Sequence, residues 1–202
     1  MKIFCIGFNK TGTTSLQKLF NKENLLSPLD YYTFEQWLDY YISKKYSICI
    51  DLIKKRYNSY NFFQDIPFSF PHFYKELYKE YPNAYYILSV RNNSEEWYSS
   101  LMRYYKLRIK NFNTSLFPTT PNEHYIYKYL TKVLGAPLND PYNKVKLMDS
   151  YNNHNKEVKD FFQSKGKLIE INLSIPSDFN KLQNFLNIKF KSKYFPHLNK
   201  SK

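Results

Sequence analysis

The sequence predicts an α/β fold in which an open, mainly parallel sheet carries helices on both faces. Short apolar runs alternate with segments of helical periodicity along the chain, and this alternation is typical of parallel sheets. The run at 85–90 is apolar at successive positions, as expected of a central strand covered on both faces. Glycine-rich, acidic or basic residues follow three of the runs directly, where parallel strands would end on a common edge.

The N-terminal part of the chain predicts two strands separated by helices. Residues 2–6 form a short apolar run that ends at a glycine- and threonine-rich turn, and apolar residues at helical spacing follow that turn. A second helix is predicted over 33–45, with Thr33 as its N-cap. The run at 60–64 predicts the next strand, which ends before Pro67 because proline cannot continue a central strand.

The middle of the chain predicts a helix, a central strand and a capped helix. The first of these helices begins near Pro71, since proline suits a first helical turn. The central strand at 85–90 follows it. Asn93 then has the character of an N-cap, with Glu96 three residues later as in a capping box, and this helix extends to about residue 107.

The C-terminal part is loop-rich over 112–141, around a short helix predicted at 125–134. A long helix is predicted at 145–163, followed by a strand at 167–173 and a final helix at 177–186. The predicted apolar stripe of the long helix consists of Tyr151, His154, Val158 and Phe161. With no internal repeat and no second domain visible, residues 1–202 are predicted to form a single domain.

The chain carries 30 Lys and Arg residues against 17 Asp and Glu residues, a formal charge of +13. Such an excess favours an anionic partner, which could be a nucleic acid, a membrane surface or a polyanionic small molecule. The positive residues are dispersed, as on a solvated surface, so a nucleic-acid partner is disfavoured. No apolar stretch approaches the roughly 20 residues that span a bilayer, which argues against a membrane protein.

The two cysteines, Cys5 and Cys49, both lie in apolar runs that resemble β-strands. Two isolated cysteines indicate neither a disulfide framework nor a metal-binding cluster. The first six residues are too short for the apolar part of a signal peptide. These observations predict a soluble, cytoplasmic protein that uses no metal ion.

Residues 7–15 (GFNKTGTTS), between the first strand and the first helix, have the chemistry of an anion-binding loop. Glycines let the backbone curl so that successive N–H groups point inward, and the N-terminus of the following helix adds positive potential. Lys10 supplies a full positive charge. The candidate hydroxyl donors are Thr11, Thr13, Thr14 and Ser15. The loop is therefore predicted to bind phosphate or sulfate oxygens, the alternative being an ordinary connection between a strand and a helix.

This loop differs from the common nucleotide-binding loop, Gly-x-x-x-x-Gly-Lys-Ser/Thr. Gly7 and Gly12 have the required spacing, but Thr13 occupies the lysine position and Lys10 precedes the second glycine. The different position of the lysine argues against an ordinary site for magnesium and ATP.

A second candidate anion site follows the central strand. Arg91 stands at the end of that strand, and its planar guanidinium can bind a phosphate through several donors. Ser99 comes eight residues later, nearly two turns into the next helix, from where its hydroxyl can donate to the same group. An arginine at a strand end is more often a surface charge, but together with the first loop it favours a ligand with two separated anionic groups.

Together the two motifs resemble those of sulfotransferases that use 3′-phosphoadenosine 5′-phosphosulfate (PAPS). Residues 10–15 (KTGTTS) resemble the 5′-phosphosulfate loop of that family, in which the lysine contacts the phosphosulfate bridge and loop amides and hydroxyls hold the 5′-phosphate. Arg91 and Ser99 are similar to the family's 3′-phosphate pair, although Asn93 stands where the family usually has proline. The resemblance implies a P-loop-like α/β fold over nearly the whole chain.

The resemblance also implies a catalytic base. Asp65-Ile66-Pro67 is similar to the Asp-x-Pro of the branch whose base is aspartate. A carboxylate at a strand end can accept the proton that an acceptor hydroxyl loses during sulfur transfer. Lys10 would stabilise the charge that develops on the leaving phosphate oxygen. Asp65 could instead be only a turn-forming residue, and His124 is the rival candidate for the base.

These observations predict a transferase that moves a sulfuryl group from PAPS to a hydroxyl or amine of a small acceptor and releases adenosine 3′,5′-bisphosphate. Two alternatives stay open: a P-loop nucleotide kinase or NTPase, and a non-catalytic nucleotide-binding relative. The loops over 112–141 are predicted to line the acceptor pocket. His154, on an apolar stripe, is predicted to be a core histidine.

Overall fold

The computed structural model describes residues 1–28, 34–107, 109 and 120–196, and within these ranges the chain forms four β-strands and eight α-helices. The strands are β1 (Ile3–Cys5), β2 (Phe62–Phe63), β3 (Tyr85–Ser89) and β4 (Leu168–Ile171). The helices are α1 (Thr13–Lys22), α2 (Phe34–Ile42), α3 (Tyr46–Arg56), α4 (Phe73–Glu80), α5 (Ser94–Lys106), α6 (Pro121–Lys128), α7 (Lys144–Phe162) and α8 (Ser177–Leu186). A π-helical turn, Tyr129–Val133, continues α6 directly.

The strands form one sheet in the order β2-β1-β3-β4, and every pairing between them is parallel. Ile3 of β1 lies opposite Phe62 on one side and Tyr85 on the other. The chain passes from β1 to β2 on one side and then from β2 past β1 to β3 on the other, so the strand order reverses between β1 and β3. Ligands of such sheets bind in the crevice at this reversal, beyond the carboxyl ends of the strands.

The two faces of the sheet bury different sets of side chains, because successive residues of a strand point to opposite sides. Phe4 and Ile6 belong to the larger apolar cluster, which includes residues of α2, α3, α4, α5 and α7. Ile3 and Cys5 belong to the smaller cluster, which includes residues of α1 and α8. Helices therefore cover both faces, and the predicted α/β fold with a parallel sheet is confirmed.

The segment around Cys49 is helical, so the interpretation of that run as strand-like was wrong. Helix α3 buries Cys49, Ile50 and Ile53, which share one face at helical spacing. Isoleucine favours strands when it is considered alone, because its β-branched side chain fits a pleated surface. Packing of this face against the neighbouring helices outweighs that local preference.

Several predicted elements differ from the structure in extent. The strand predicted at 60–64 pairs with β1 only through Phe62–Phe63. The helix predicted at 125–134 begins earlier, at Pro121, because Thr120 and Glu123 form a capping box that was not predicted. The N-cap predicted at Thr33 and residues 112–119 of the predicted acceptor loops lie outside the described residues.

The buried stripe of α7 also differs by one position from its prediction. Phe162 is 3% exposed and belongs to the core, whereas Phe161 is only partly buried against the same cluster. His154 and Val158 are buried as predicted. In the part of the chain that the structure describes, no helix is long and apolar enough to cross a membrane.

Candidate active site

Three polar segments meet at the carboxyl edge of the sheet. The loop at 7–15 follows β1, Asp65 follows β2 and Arg91 follows β3. Because all pairings are parallel, these three strands end on the same side of the molecule. The loop follows β1 and Arg91 follows β3, and these are the two strands between which the strand order reverses. The sheet therefore brings together the residues that the sequence predicted for one site.

Two glycines shape the loop after β1. A Cβ atom added at Gly7 would lie 2.3 Å from the carbonyl oxygen of Ser89, so only glycine lets the end of β1 approach β3 this closely. Gly12 has a φ of 98°, and a Cβ atom there would lie 2.7 Å from Cδ2 of Leu173. Gly12 is also the N-cap of α1, and it has no side chain that could accept hydrogen bonds from the first-turn amides.

Side-chain donors hold the loop in this shape through its carbonyl oxygens. Nε of Arg91 donates to the carbonyl of Lys10 at 2.8 Å. Nε1 of Trp97, on α5, donates to the carbonyl of Asn9 at 3.0 Å. Both carbonyl groups are thus turned toward β3 and α5. The Ser15 amide donates to the Gly12 carbonyl at 2.9 Å, and the amides before it belong to a helix start, where intrahelical acceptors are lacking and anions commonly bind.

The hydroxyl groups of the loop have different environments. The Thr11 hydroxyl is buried, donates to the carbonyl of Phe8 at 2.6 Å and lies 2.6 Å from Oγ of Ser89. Thr13 and Ser15 are also buried, whereas Thr14 is exposed. A contact between Thr11 and an anion would therefore come from its amide, because its hydroxyl already holds the loop together.

Arg91 is tied to both ends of the candidate site. Its backbone N–H donates to the Tyr151 hydroxyl at 2.9 Å, which fixes the turn after β3 against α7. Its guanidinium donates to the Lys10 carbonyl and forms an ion pair with Glu96 at 3.2 Å. These contacts use two of the five guanidinium donors. Arg91 therefore points toward the loop and keeps donors for a ligand.

Ser99 lies on the exposed side of α5. It comes three residues after Glu96 and thus one helical turn along the same face. Asn93 caps this helix by accepting a hydrogen bond from the amide of Glu96 at 2.8 Å, as predicted. The carboxylate of Glu96 accepts from Arg91 and from Asn92. Ser99 is thereby one turn away from the ion pair that Arg91 forms.

The ammonium group of Lys10 lies 3.8 Å from the centre of the Tyr104 ring, a distance typical of a cation–π contact. Lys10 has a φ of 70°, in the left-handed region that non-glycine residues seldom adopt. Its charge is close enough to Asp65 to lower the pKa of that carboxyl. The structure thus brings the predicted lysine and the predicted base into one electrostatic environment.

Asp65 occupies a turn with a φ of 62°, next to the cis peptide bond between Ile66 and Pro67. Burial raises the pKa of its carboxyl, while the N–H of Ile66, which donates to Oδ1 at 3.1 Å, and the charge of Lys10 lower it. A carboxylate that loses hydration in this way becomes a better proton acceptor. Its carbonyl accepts from the amide of Ser69, so Asp65 also shapes the turn.

The histidines differ in environment. His154 is 3% exposed, donates through Nε2 to the carbonyl of Ile6 at 2.8 Å and stacks on Phe8. Burial lowers its pKa to about 4, so the prediction of a core histidine is confirmed. His124 is exposed on α6, and its Nδ1 donates to the carbonyl of Thr120 at 3.0 Å.

Sequence reasoning missed the residues that support the site. Ser89 and Trp97 bond the loop, Tyr104 contacts the Lys10 ammonium and Tyr151 accepts from Arg91. Ser89 carried a faint signal, as a small polar residue inside an apolar strand. The aromatic residues carried none, because aromatic side chains make up 20% of the chain. Among the described residues, no group of three His, Cys, Asp or Glu side chains is arranged to hold a metal ion.

Comparison with known families identifies the class of protein. A family model described as a sulfotransferase domain matches residues 2–202, which is nearly the whole chain. The chain therefore belongs to the sulfotransferase domain family. A direct comparison with curated proteins found no match. The family assignment agrees with the parallel sheet and with the anion-binding chemistry of the loop after β1.

Proposed function

We propose that this sulfotransferase takes its sulfuryl group from PAPS and transfers it to a hydroxyl or amine of a small acceptor. The observation that carries the proposal is the 2.8 Å hydrogen bond from Nε of Arg91 to the carbonyl of Lys10. This contact joins the two candidate anion sites, which are 81 residues apart in the sequence. A single ligand with anionic groups at two positions can therefore reach both.

The residues present fit the two ends of such a ligand. The loop at 10–15 offers first-turn amides of α1, a helix start that suits a 5′-phosphosulfate. Arg91, with Ser99 one turn beyond Glu96, suits the 3′-phosphate. ATP has no 3′-phosphate, and the loop lacks a lysine directly after Gly12. These features favour PAPS over ATP as the nucleotide.

Transfer requires that a bond from sulfur to the acceptor oxygen or nitrogen forms while the S–O bond to the phosphate breaks. The acceptor oxygen attacks sulfur and its proton passes to the carboxylate of Asp65. The bond between sulfur and the bridging phosphate oxygen breaks, and that oxygen leaves as part of adenosine 3′,5′-bisphosphate. The Lys10 ammonium stabilises the negative charge that develops there. For an amine acceptor, the same carboxylate accepts a proton from nitrogen.

Asp65 suits the role of base better than His124 does. Asp65 is partly removed from solvent, its pKa is raised by burial and it interacts electrostatically with Lys10. His124 is exposed, and no described contact joins it to Lys10 or Asp65. A base must lie within hydrogen-bond reach of the transferred proton, and the electrostatic link to Lys10 favours Asp65.

The cysteines agree with a reducing, cytoplasmic setting, which we propose together with the function. Cys5 and Cys49 are both buried and unpaired. They belong to the apolar clusters on opposite faces of the sheet, so they are not positioned for a disulfide bond with each other.

Two measurements test the proposal. Calorimetry should detect binding of adenosine 3′,5′-bisphosphate that is at least about tenfold tighter than binding of ATP, a difference of about 1.4 kcal/mol. Labelled PAPS should then pass its sulfuryl group to one of a library of small alcohols and amines. Asp65→Asn should reduce this transfer by about 10²–10⁴-fold and leave bisphosphate binding intact, since it removes only the general base.

His124→Asn serves as the matched variant, because it removes the rival base. Preserved transfer in His124→Asn together with loss in Asp65→Asn supports the proposal. Equal affinity for ATP and the bisphosphate would contradict the nucleotide assignment. Bisphosphate binding without transfer to any acceptor would favour the non-catalytic relative.

A further inference from the structure

Three tyrosines interact electrostatically with the candidate base, and we call Tyr105, Tyr125 and Tyr129 the tyrosine cluster. Tyr105 and Tyr129 are buried, and Tyr125 is half-buried. Tyr105 lies on α5, Tyr125 on α6 and Tyr129 at the first position of the π-helical turn. The hydroxyl oxygens of Tyr125 and Tyr129 are buried and form no hydrogen bond with any described residue. Buried tyrosine hydroxyls usually have a partner. Two such groups in one cluster require an explanation.

The charge of Asp65 acts on all three members of the tyrosine cluster. Burial raises the pKa of all three hydroxyls, and the negative charge of Asp65 raises each of them further. The tyrosines also raise one another's pKa: Tyr125 raises the pKa of Tyr129, and Tyr105 raises the pKa of Tyr125. Such charge effects fall off with distance, so the phenol groups and the carboxylate share one region. The phenols stay protonated and can donate hydrogen bonds.

The backbone fixes Tyr125 and Tyr129 as a pair. They are four residues apart, which places them on one face of the helix, and the helix changes from α to π at Tyr129. Turns of π-helix occur frequently at functional sites. The ring of Tyr129 lies 6.3 Å from the ring of Phe70, in the segment that follows Asp65. The helix is therefore docked on the turn that carries the base.

The chemistry of this region restricts the ligand. Phenol hydroxyls donate to oxygen acceptors, and the rings around them offer an apolar surface. A carboxylate would be repelled by Asp65, because the nearest phenols are uncharged and cannot offset that repulsion. A neutral molecule that combines a hydroxyl group with a ring satisfies both the unpaired donors and the apolar walls.

We propose that Tyr125 and Tyr129 bind the acceptor through their hydroxyl groups and select an uncharged, ring-bearing alcohol or phenol. This inference rests on the proposed function and adds the acceptor class to it. The two tyrosines act as specificity-determining residues, whereas Asp65 accepts the proton.

The test uses the full chain with saturating adenosine 3′,5′-bisphosphate, so that binding can be measured without turnover. The probes are 2-naphthol and benzyl alcohol, which are uncharged at neutral pH, and naphthalene-2-carboxylate, which is charged. We expect the wild type to bind 2-naphthol at least about tenfold tighter than the carboxylate. Tyr125→Phe and Tyr129→Phe should each weaken binding of the uncharged probes by about fivefold, consistent with loss of one hydrogen bond.

Tyr74→Phe is the matched control. The Tyr74 hydroxyl is likewise buried and unpartnered among the described residues, but its charged neighbours are Glu157 and Asp160 rather than Asp65. Its loss should leave probe binding unchanged. Removing an unpartnered hydroxyl should not lower the melting temperature of any of the three variants. Weaker probe binding without loss of stability separates ligand recognition from a structural role.

The outcomes distinguish this inference from the function on which it rests. If the wild type fails to bind the bisphosphate, both are overturned. If it binds the bisphosphate but neither uncharged probe, or binds the carboxylate as tightly, the acceptor class is wrong and the nucleotide assignment stands. Equal probe affinities in the wild type, Tyr125→Phe and Tyr129→Phe would also overturn the inference.

Discussion

The loop at 7–15 and the tyrosine cluster both interact electrostatically with Asp65, but the backbone oxygens of the loop have hydrogen-bond partners that two hydroxyls of the cluster lack. In the loop, side chains of Thr11, Arg91 and Trp97 donate hydrogen bonds to successive carbonyl oxygens. In the tyrosine cluster, two buried hydroxyls have no partner among the described residues. One region is held in shape by the protein itself, and the other offers unused donors.

This difference indicates how the two halves of the site divide their tasks. A loop whose carbonyls are already bonded keeps its amides in position and loses little entropy when an anion binds. Hydroxyl donors without partners near a carboxylate favour binding of a ligand that accepts their hydrogen bonds. They disfavour a ligand that leaves them unpaired. Changes in the loop should therefore affect stability and nucleotide binding together. Changes around Asp65 should affect transfer without destabilising the fold.

Replacing Lys10 tests the point where the two regions meet and should have the largest effect. Lys10→Met keeps much of the apolar stem but removes the charge that we propose stabilises the leaving oxygen, so we expect a loss of about 10²–10³-fold in kcat for labelled PAPS. The measurement is a steady-state rate with any accepted substrate. Lys18→Met, at an exposed position of α1, should keep full activity. A loss in kcat below about tenfold would show that Lys10 does not stabilise the transition state of the chemical step.

Replacing Gly7 tests whether the loop is as constrained as its contacts indicate. Gly7→Ala inserts a methyl group 2.3 Å from a backbone oxygen of β3, and we expect a loss of about 3 kcal/mol in the free energy of unfolding. Denaturant titration measures this change in the free energy of unfolding. Gly166→Ala, where φ is 59° and no atom lies within 4 Å of the added carbon, should cost only about 1–2 kcal/mol of backbone strain. Equal losses in the two variants would contradict the close approach.

His154 supports the segment that leads into the loop, and its titration should appear in the stability of the whole protein. Burial lowers the pKa of His154 from its ordinary value of 6.5 to about 4, so the folded state prefers the neutral ring. Its contribution to stability is complete above pH 6.5 and is lost as the pH falls toward about 4, by up to about 3 kcal/mol.

Urea titrations at several pH values measure this loss. His154→Gln, which keeps a donor for the carbonyl of Ile6, should flatten the profile between these pH values, whereas His124→Gln at an exposed site should not. An unchanged acid profile in His154→Gln would show that the ring does not couple proton uptake to folding.

The smallest effect is expected at Glu96, whose carboxylate pairs with Arg91. Glu96→Gln removes a negative charge beside the proposed 3′-phosphate site, so the affinity for adenosine 3′,5′-bisphosphate should rise about threefold at low salt and less at high salt. Calorimetry at two salt concentrations measures the change. Glu95→Gln, which breaks the exposed pair with Lys144, is the control. Weaker binding in Glu96→Gln would mean that Glu96 positions Arg91 rather than competing with the ligand.

Much of the fold followed from local patterns. The double-sided apolar run predicted β3, the cap at Asn93 predicted the start of α5, and the final helix was predicted with its observed bounds. The predictions were wrong where local preference and packing disagreed, as in the isoleucine-rich α3. They were incomplete where a capping box stood outside the expected segment, as at Thr120.

The sequence by itself predicted most of the elements and the residue types of the candidate anion-binding loop, because helix period, caps and glycine positions are local properties. Only the tertiary structure decided that Thr11 turns inward, that Arg91 reaches the Lys10 carbonyl and that two tyrosine hydroxyls stay unpaired near Asp65. Those contacts join residues far apart in the chain, and the parallel order of the strands brings them together. No local pattern encodes which distant side chain will satisfy a polar group.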